Sequence, residues 1–206
     1  MDDQPIGTVQ VVPAPTPLQP WEERPVTPTP RDAHADAQVE ELAAAVPGGV
    51  EAAVELAGQI TVQVPPASIS KVLRACKDCL GYDFLVDLTA VDWLDRAEGR
   101  FDVVYWLHRH RDQRRLRLKV VVAEGVEVLT ATGVWKTANW MEREVYDLFG
   151  LHFAGHPNLE RILTWEGFNG HPLRKDFPIE GIDTGAAIYP DVFPPGGGPV
   201  KAGGDE

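Results

Sequence analysis

The sequence predicts an α+β fold: two layers, a small mixed sheet packed against helices, with an extended irregular C-terminal arm. Three observations point to it. Short runs that alternate polar and apolar residues, the mark of half-buried strands, stand among runs whose apolar residues recur every three or four positions, the mark of helices. These runs come in the order helix, strand, helix, three strands, helix, which is not the alternating order of a parallel βαβ sheet. After Gly150 the chain is punctuated by Gly155-His156-Pro157, Gly170-His171-Pro172 and Phe177-Pro178, so regular structure stops there.

Residues 1–31 hold eight prolines, from Pro5 to Pro30. Proline fixes φ and removes a backbone donor, so this front is predicted to be an extended, disordered tail. Trp21 is its one large apolar group, either an anchor onto a partner or simply exposed. The domain proper spans 32–150. Asp36 to Val46 is rich in Ala, Glu and Leu and is stopped by Pro47-Gly48-Gly49, which predicts a short helix. Gln59 to Val64 alternates as a strand does, and Pro65-Pro66 ends it. Ser68 offers an N-cap to a helix carrying Ile69, Val72, Leu73 and Cys76, with Gly81 as its stop. Phe84 to Trp93 is the next strand, with Phe84, Val86, Leu88 and Ala90 expected on one face and Asp87, Thr89 and Val91 on the other. Phe101–Leu107 and Leu116–Val122 form a hairpin around the polar turn His108 to Gln113. Thr130 to Gly150 is the longest helical stretch. Val134, Ala138, Met141, Val145 and Leu148 make its apolar stripe, with Glu142, Arg143, Glu144 and Asp147 off it. An arm follows over 151–193, and a Gly/Pro-rich tail over 194–206.

The formal charge of −12 is uneven. Residues 1–60 hold ten acids against Arg24 and Arg31, so −8 belongs to the front and the rest is nearly balanced. A chain this acidic repels phosphate backbones, so no nucleic-acid partner is expected. No window approaches 18 consecutive apolar residues, and no membrane span is expected. Met1-Asp2-Asp3-Gln4-Pro5 has no apolar run behind it, so a secretory signal is not expected either and a cytoplasmic location is the default.

Candidate chemistry is sparse. Cys76-Lys77-Asp78-Cys79 has redox spacing but lies late in its helix, away from the dipole end that lowers a thiol pKa, and no second pair completes a zinc site. His108 and His110 would point the same way on a strand, and His152 and His156 are four apart. None has a carboxylate at motif spacing, and the hairpin pair reads best as a solvated tip beside Arg109 and Arg111. Gly196 to Lys201 lacks the spacing and the following helix of a phosphate loop. No nucleophile, base and orienter assemble. The arm and the helix before it interleave aromatics (Trp135, Trp140, Tyr146, Phe149, Phe153, Trp165, Phe168, Phe177) with charges. That composition suits an interface. It equally suits a loop packed on its own domain. Arg143, Arg174 and Lys175, with Glu142, Glu144 and Asp176, are expected to form charge-assisted hydrogen bonds that hold this segment in place, some of them across a partner contact.

Two runs narrow the choice. Trp140-Met141-Glu142-Arg143-Glu144-Val145-Tyr146-Asp147-Leu148-Phe149-Gly150 is followed by Phe153, Gly155-His156-Pro157, Leu159 and Arg161-Ile162-Leu163, then by Gly170-His171-Pro172-Leu173-Arg174-Lys175-Asp176-Phe177-Pro178. In this order and spacing they closely resemble the 30 kDa, C-type subunit of proton-pumping NADH-quinone oxidoreductase, respiratory complex I. A looser resemblance begins near Gln59 and includes Gly81-Tyr82-Asp83-Phe84 and the run Asp87 to Asp92, but neither the front nor the end of the chain. Glu160 stands where the family usually has a basic residue. The resemblance implies a structural subunit of the hydrophilic arm, peripheral on the cytoplasmic face of the inner membrane. It implies contact with the 49 kDa, D-type subunit, which helps to form the quinone site, and with the B-type subunit. It implies no cofactor, metal or catalytic residue in this chain; FMN and the iron–sulfur clusters belong to partner subunits, which agrees with two cysteines being too few to ligate a cluster. Glu142, Arg143, Glu144, Asp147, His156, Arg161, His171, Arg174, Lys175 and Asp176 are the motif and interface residues it implies. Two other readings stay open: the equivalent subunit of a related complex I-like dehydrogenase or membrane-bound hydrogenase, and a stand-alone histidine-based metalloenzyme.

Overall fold

The computed structural model of the chain describes residues 28–165 and 167–178. The proline-rich front through Thr27 with Trp21, the arm beyond Pro178 and the Gly/Pro-rich end lie outside the described residues. Six strands form one mixed sheet: β1 (Arg31–Asp32), β2 (Ala52–Leu56), β3 (Gln59–Gln63), β4 (Phe84–Asp92), β5 (Phe101–Arg109) and β6 (Arg114–Val122), in the spatial order β1-β2-β3-β6-β5-β4. Every pairing is antiparallel except β3 with β6. Helices α1 (Ala37–Ala45), α2 (Ile69–Asp78) and α3 (Ala138–Phe149) share one core with the sheet's inner face. A small parallel pair, β7 (Val128–Leu129) with β8 (Phe153–Ala154), ties the approach to α3 to its exit.

Most of the elements lie where the sequence predicts, and the departures have local causes. Asp36 caps α1, its carboxylate accepting from Gln38 N at 2.8 Å. Ser68 does not cap α2; it ends a 3-10 turn, Pro66–Ser68, that runs straight into the helix, and its hydroxyl makes no capping bond. Gly81 does turn the chain out of α2, with φ +77°, and Tyr82 N donates to Cys76 O at 2.8 Å. Strand β2 is absent from the sequence expectation. Its partner turn is Ala57-Gly58, both at positive φ, the primed geometry that matches strand twist.

Strand β4 faces the other way from expectation over its first half. A bulge between Leu85 and Asp87 shifts the register, so Leu85, Leu88, Ala90 and Asp92 are buried while Phe84 and Val86 are exposed. The β5–β6 hairpin is longer than expected, and Arg109 is buried, not solvated. Its guanidinium is forked onto Asp112 at 2.8 and 2.8 Å and donates to Leu80 O at 2.8 Å, pinning the hairpin to the end of α2. Helix α3 starts at Ala138, eight residues later than the periodicity suggests, because residues 130–137 form turns. Its buried row is Ala138, Glu142, Val145 and Phe149 with Asp147, so both acids face inward.

Candidate functional site

The arm is fastened where α3 ends, and two buried carboxylates do most of the fastening. Asp147 lies in the last turn of α3. One of its oxygens accepts from three consecutive amides, Ile162 N at 2.9 Å, Leu163 N at 2.7 Å and Thr164 N at 2.9 Å. The other accepts from the Thr164 hydroxyl and from Arg161 Nη1 at 3.2 Å. Successive N–H groups folded around one oxygen form an anion nest. Burial alone pushes the Asp147 carboxyl up, but the hydrogen bonds from Thr164, Leu163 and Ile162 outweigh it and hold the pKa below the ordinary value. Arg161 spans the loop, donating also to Gly170 O at 3.2 Å and Thr164 Oγ1 at 2.8 Å.

The second half of the arm caps the helix. A helix leaves its last carbonyls without partners. Here His171 Nδ1 donates to Asp147 O at 2.8 Å, Leu173 N to Leu148 O at 3.1 Å and Arg174 Nε to Phe149 O at 2.5 Å. The carbonyl acceptor assigns the proton of neutral His171 to Nδ1. Burial lowers the His171 pKa, so the ring stays neutral near pH 7. Arg174 places a cation at the negative end of the helix dipole. Gly150 makes this approach possible: it sits at φ +73°, and a Cβ there would meet His171 Nε2 at 2.5 Å and Arg174 Nη2 at 2.6 Å.

The other fastening point is Asp92, at the end of β4. Arg100 forks onto it at 2.9 and 2.8 Å, and Lys175 N donates to it at 2.8 Å. Burial alone would raise its pKa, but the Arg100 fork and the Lys175 and Leu94 amides outweigh it and hold the value at about 2. Arg100 also reaches Asp176 at 2.7 Å and Glu124 at 3.0 Å, and Glu124 reaches Arg174 at 2.7 Å. Two guanidiniums and three carboxylates thus close the arm against the sheet, with Arg100 and Arg174 both over the Phe101 ring at 5.1 and 5.4 Å.

Of the sequence-predicted charges, Arg174 and Asp176 form charge-assisted bonds that hold the arm, through Glu124 and Arg100. Among the described residues no member of Arg143, Arg174, Lys175, Glu142, Glu144 and Asp176 pairs with another. Arg143 lies over Trp140 at 5.0 Å and donates to Glu160 O at 3.0 Å. The Glu160 carboxylate accepts from Asn158 Nδ2 at 3.3 Å. Lys175 contributes its backbone amide and leaves its side chain exposed; Glu144 is exposed and unpaired among the described residues. Glu142 is buried without a cation. It accepts from Thr130 Oγ1 at 2.5 Å and Ala131 N at 2.6 Å, and burial pushes its pKa up to about 7 despite them. His156 bridges Asn139 O at 3.2 Å and Asn158 N at 3.1 Å, so its proton sits on Nε2.

Asp92, Arg100 and Glu124 belong to this site without being foreseen in it. A signal exists for Asp92: continued alternation from Leu88 and Ala90 puts it on the inner face. His108 and His110 do share a face, ring centroids 4.6 Å apart, and His110 contacts Asp83 at 3.0 Å, while His152 packs edge-on to Tyr146. Among the described residues no group of three His, Cys, Asp or Glu is placed to hold a metal ion. Cys76 is buried, its thiol pushed up to about 12 by burial, and Cys79 is exposed; both are free.

Three large apolar side chains also remain open to a neighbour. Trp140 on α3 is 63% exposed, and Leu163 and Leu173 on the arm are 63% and 50% exposed. The buried charges hold the arm to its own domain, and these three uncovered apolar side chains are the ones that suit another surface.

Known proteins agree with this architecture. The family model of the respiratory-chain NADH dehydrogenase 30 Kd subunit matches residues 62–183, and the chain belongs to that family. It is 45% identical over 150 residues to the C-type subunit of the NADH-quinone oxidoreductase of Rhodobacter capsulatus, covering 70% of this chain and 75% of that one. It is 49% identical over 130 residues to the C-type subunit of the same enzyme in Paramagnetospirillum magneticum, covering 62% and 65%. Among solved structures it is similar, at TM-score 0.61 and 26% identity over 69% of this chain and 84% of the other, to a chain of the membrane-bound sulfane sulfur reductase, an archaeal respiratory membrane complex.

Proposed function

We propose that this chain is the cofactor-free structural subunit of a proton-pumping NADH:quinone oxidoreductase. It supports the 49 kDa subunit, and next to that the B-type subunit, while electrons pass from NADH to quinone through FMN and iron–sulfur clusters held elsewhere in the complex. The observation that carries this reading is the fastened arm. The family-matched segment spends its buried charge on fixing its own backbone to α3 and β4, and it leaves Trp140, Leu163 and Leu173 outward. A pre-ordered apolar surface lowers the entropic cost of association. No helix among the described residues is long and apolar enough to cross a membrane, and the reading makes the subunit peripheral, on the cytoplasmic face of the inner membrane. The likeness to the sulfane sulfur reductase chain favours one variant, the equivalent subunit of a complex I-like enzyme with another electron donor.

The test replaces Trp140 and Leu163 together by glutamate. Both side chains are exposed, so circular dichroism of the free chain should be unchanged, while co-purification of the 49 kDa subunit and quinone reductase activity of the assembled enzyme should fall together. Normal co-purification with normal activity would remove this surface from the assembly.

A further inference from the structure

The sheet face opposite the helices is unlike one built to meet water. An antiparallel sheet that leaves a face in solvent alternates apolar-in with polar-out. Here the outward positions include Val54 and Leu56 on β2, Val104 and Trp106 on β5, and Val91 and Trp93 at the end of β4. Val54, Val91 and Trp93 are exposed, and a shallow groove of about 360 Å³ lies among these side chains. No helix covers this face among the described residues.

A cationic row runs down its middle. The registers set Arg117 between Thr61 and Trp106, and Lys119 between Gln63 and Val104, with Arg115 next along β6 beside His108. Arg117 is held in place: its Nε donates to Thr61 Oγ1 at 2.7 Å and its guanidinium lies 5.1 Å over the Trp106 ring. The acid within the groove, Asp102, accepts from Arg96 at 2.6 Å and Trp93 Nε1 at 2.9 Å and lies 3.7 Å from Lys119 Nζ, so of the row only Lys119 is paired with it. Arg115 and Arg117 have no carboxylate partner among the described residues. On a chain of formal charge −12 this is a local excess of positive charge flanked by apolar surface.

We propose that this sheet face is a second docking surface, occupied by an acidic segment of a neighbouring subunit that also presents apolar side chains. Charge complementarity selects that occupant: unpaired arginines in a half-covered groove favour carboxylates, and the valines and tryptophans beside them favour an apolar side chain between the acids. A second copy of this chain fits poorly, because a two-fold contact would lay one cationic row on another. The surface lies on the layer opposite α3 and its exposed Trp140, so the domain would stand between two neighbours. The inference rests on the reading of this chain as a member of a larger complex and adds a contact to it.

Photo-crosslinking in the assembled complex tests it. p-Benzoylphenylalanine replaces Val54 in one preparation, Val91 in a second and Trp140 in a third, each complex being purified through a tag on this chain and digested for mass spectrometry. Positions 54 and 91 should capture one and the same peptide, from another subunit, with Asp and Glu in excess over Lys and Arg. Joint Arg115→Glu and Arg117→Glu substitution should cut its yield at least about tenfold while the yield from position 140 stays. Capture of residues 1–27 of this chain, of a second copy or of a peptide without an acidic excess would overturn the proposal, as would no capture at 54 and 91 while position 140 still crosslinks. If position 140 also captures nothing and the chain purifies alone, the subunit reading itself falls, and this inference with it.

Discussion

Glu142 and Asp147 sit five residues apart on one helix, both 0% exposed, and they end up in opposite states. Glu142 receives two donors and no cation, and its pKa rises to about 7. Asp147 receives five donors, one of them Arg161, and its pKa falls below the ordinary value. Burial is common to both, so it is the donors that decide the charge. The difference separates two regions of α3. The first half meets the sheet core, where among the described residues only Thr130 Oγ1 and Ala131 N reach the carboxylate. The second half meets the arm, whose backbone has no ladder of its own and brings its amides to the carboxylate. An irregular segment must satisfy its N–H groups somewhere, and here a buried aspartate takes three of them.

The largest expected effect comes from removing the well-paired acid. Asp147→Ala leaves three amides, a hydroxyl and a guanidinium facing an empty site, at a cost on the order of 3–5 kcal/mol. The loss should be local. Amide exchange over residues 161–174 should speed up strongly while the β5–β6 hairpin keeps its protection. Uniform destabilisation of the whole chain would show that the arm and the sheet are one cooperative unit.

Next is the poorly paired acid, read through pH. The folded pKa of Glu142 lies above its ordinary value of 4.5, so the folded state holds a proton that the unfolded state has lost. This contribution is complete below about pH 4.5, fades as pH rises through about 7, and amounts to about 3 kcal/mol. Glu142→Gln keeps the shape, can accept from Ala131 N and does not titrate. Denaturant unfolding of wild type and variant at pH 4.5, 6 and 8 should therefore show the variant gaining on wild type as pH rises. Asp92 works in the opposite direction: with its pKa at about 2, its contribution is lost only as pH falls from its ordinary 3.8 through that value. A wild-type-minus-variant difference that does not change with pH would contradict the account of Glu142.

A smaller effect probes the junction between helix and arm. Gly150→Ala puts a β-carbon into a left-handed residue and against His171 and Arg174. The backbone term alone is about 1–2 kcal/mol, and the contact adds to it unless the arm lifts. If the arm lifts, exchange at Leu173 N, whose bond goes to Leu148 O, should report it before global unfolding does. A variant as stable as wild type with a protected Leu173 would mean that the cap tolerates displacement.

Much of this is legible in the sequence, and the rest fails for identifiable reasons. The three helices and the long strands follow from periodicity. Strand β2 escapes because Ala52 to Leu56 has no alternation, and its Ala57-Gly58 turn lacks the usual Asn-Gly signature. The bulge in β4 reverses Phe84 and Val86 because one extra residue moves every side chain before it to the other face. On α3 the apolar stripe through Met141 and Leu148 hides the true buried row. Ala138, Glu142, Val145 and Phe149 recur at four, three and four, a core spacing in which the only acid is the signal of a buried carboxylate. The arm's partners are another matter. His171 lies 24 residues from Asp147, Lys175 lies 83 from Asp92, and no local pattern encodes such distances. The motif marks the residues that matter there without saying what each one touches.

The smallest expected effect sharpens the contrast through one hydroxyl at each acid. Thr164 and Thr130 each give an O–H to a buried carboxylate. Thr164→Val removes one of five donors from Asp147, and the amides and Arg161 remain, so the cost should be about 1 kcal/mol or less. Thr130→Val removes one of two donors from Glu142, and it also removes the acceptor of Thr132 N. At pH 8, with Glu142 ionised, that should cost about 2 kcal/mol, in the range of hydrogen bonds to charged groups. At pH 5 Glu142 carries its proton and the bond becomes a neutral one, so the Thr130 cost should shrink while the Thr164 cost stays level. Equilibrium unfolding of both variants at the two pH values measures this directly. Equal costs at pH 8, or a Thr130 cost that ignores pH, would mean that donor number does not set the charge of these two carboxylates.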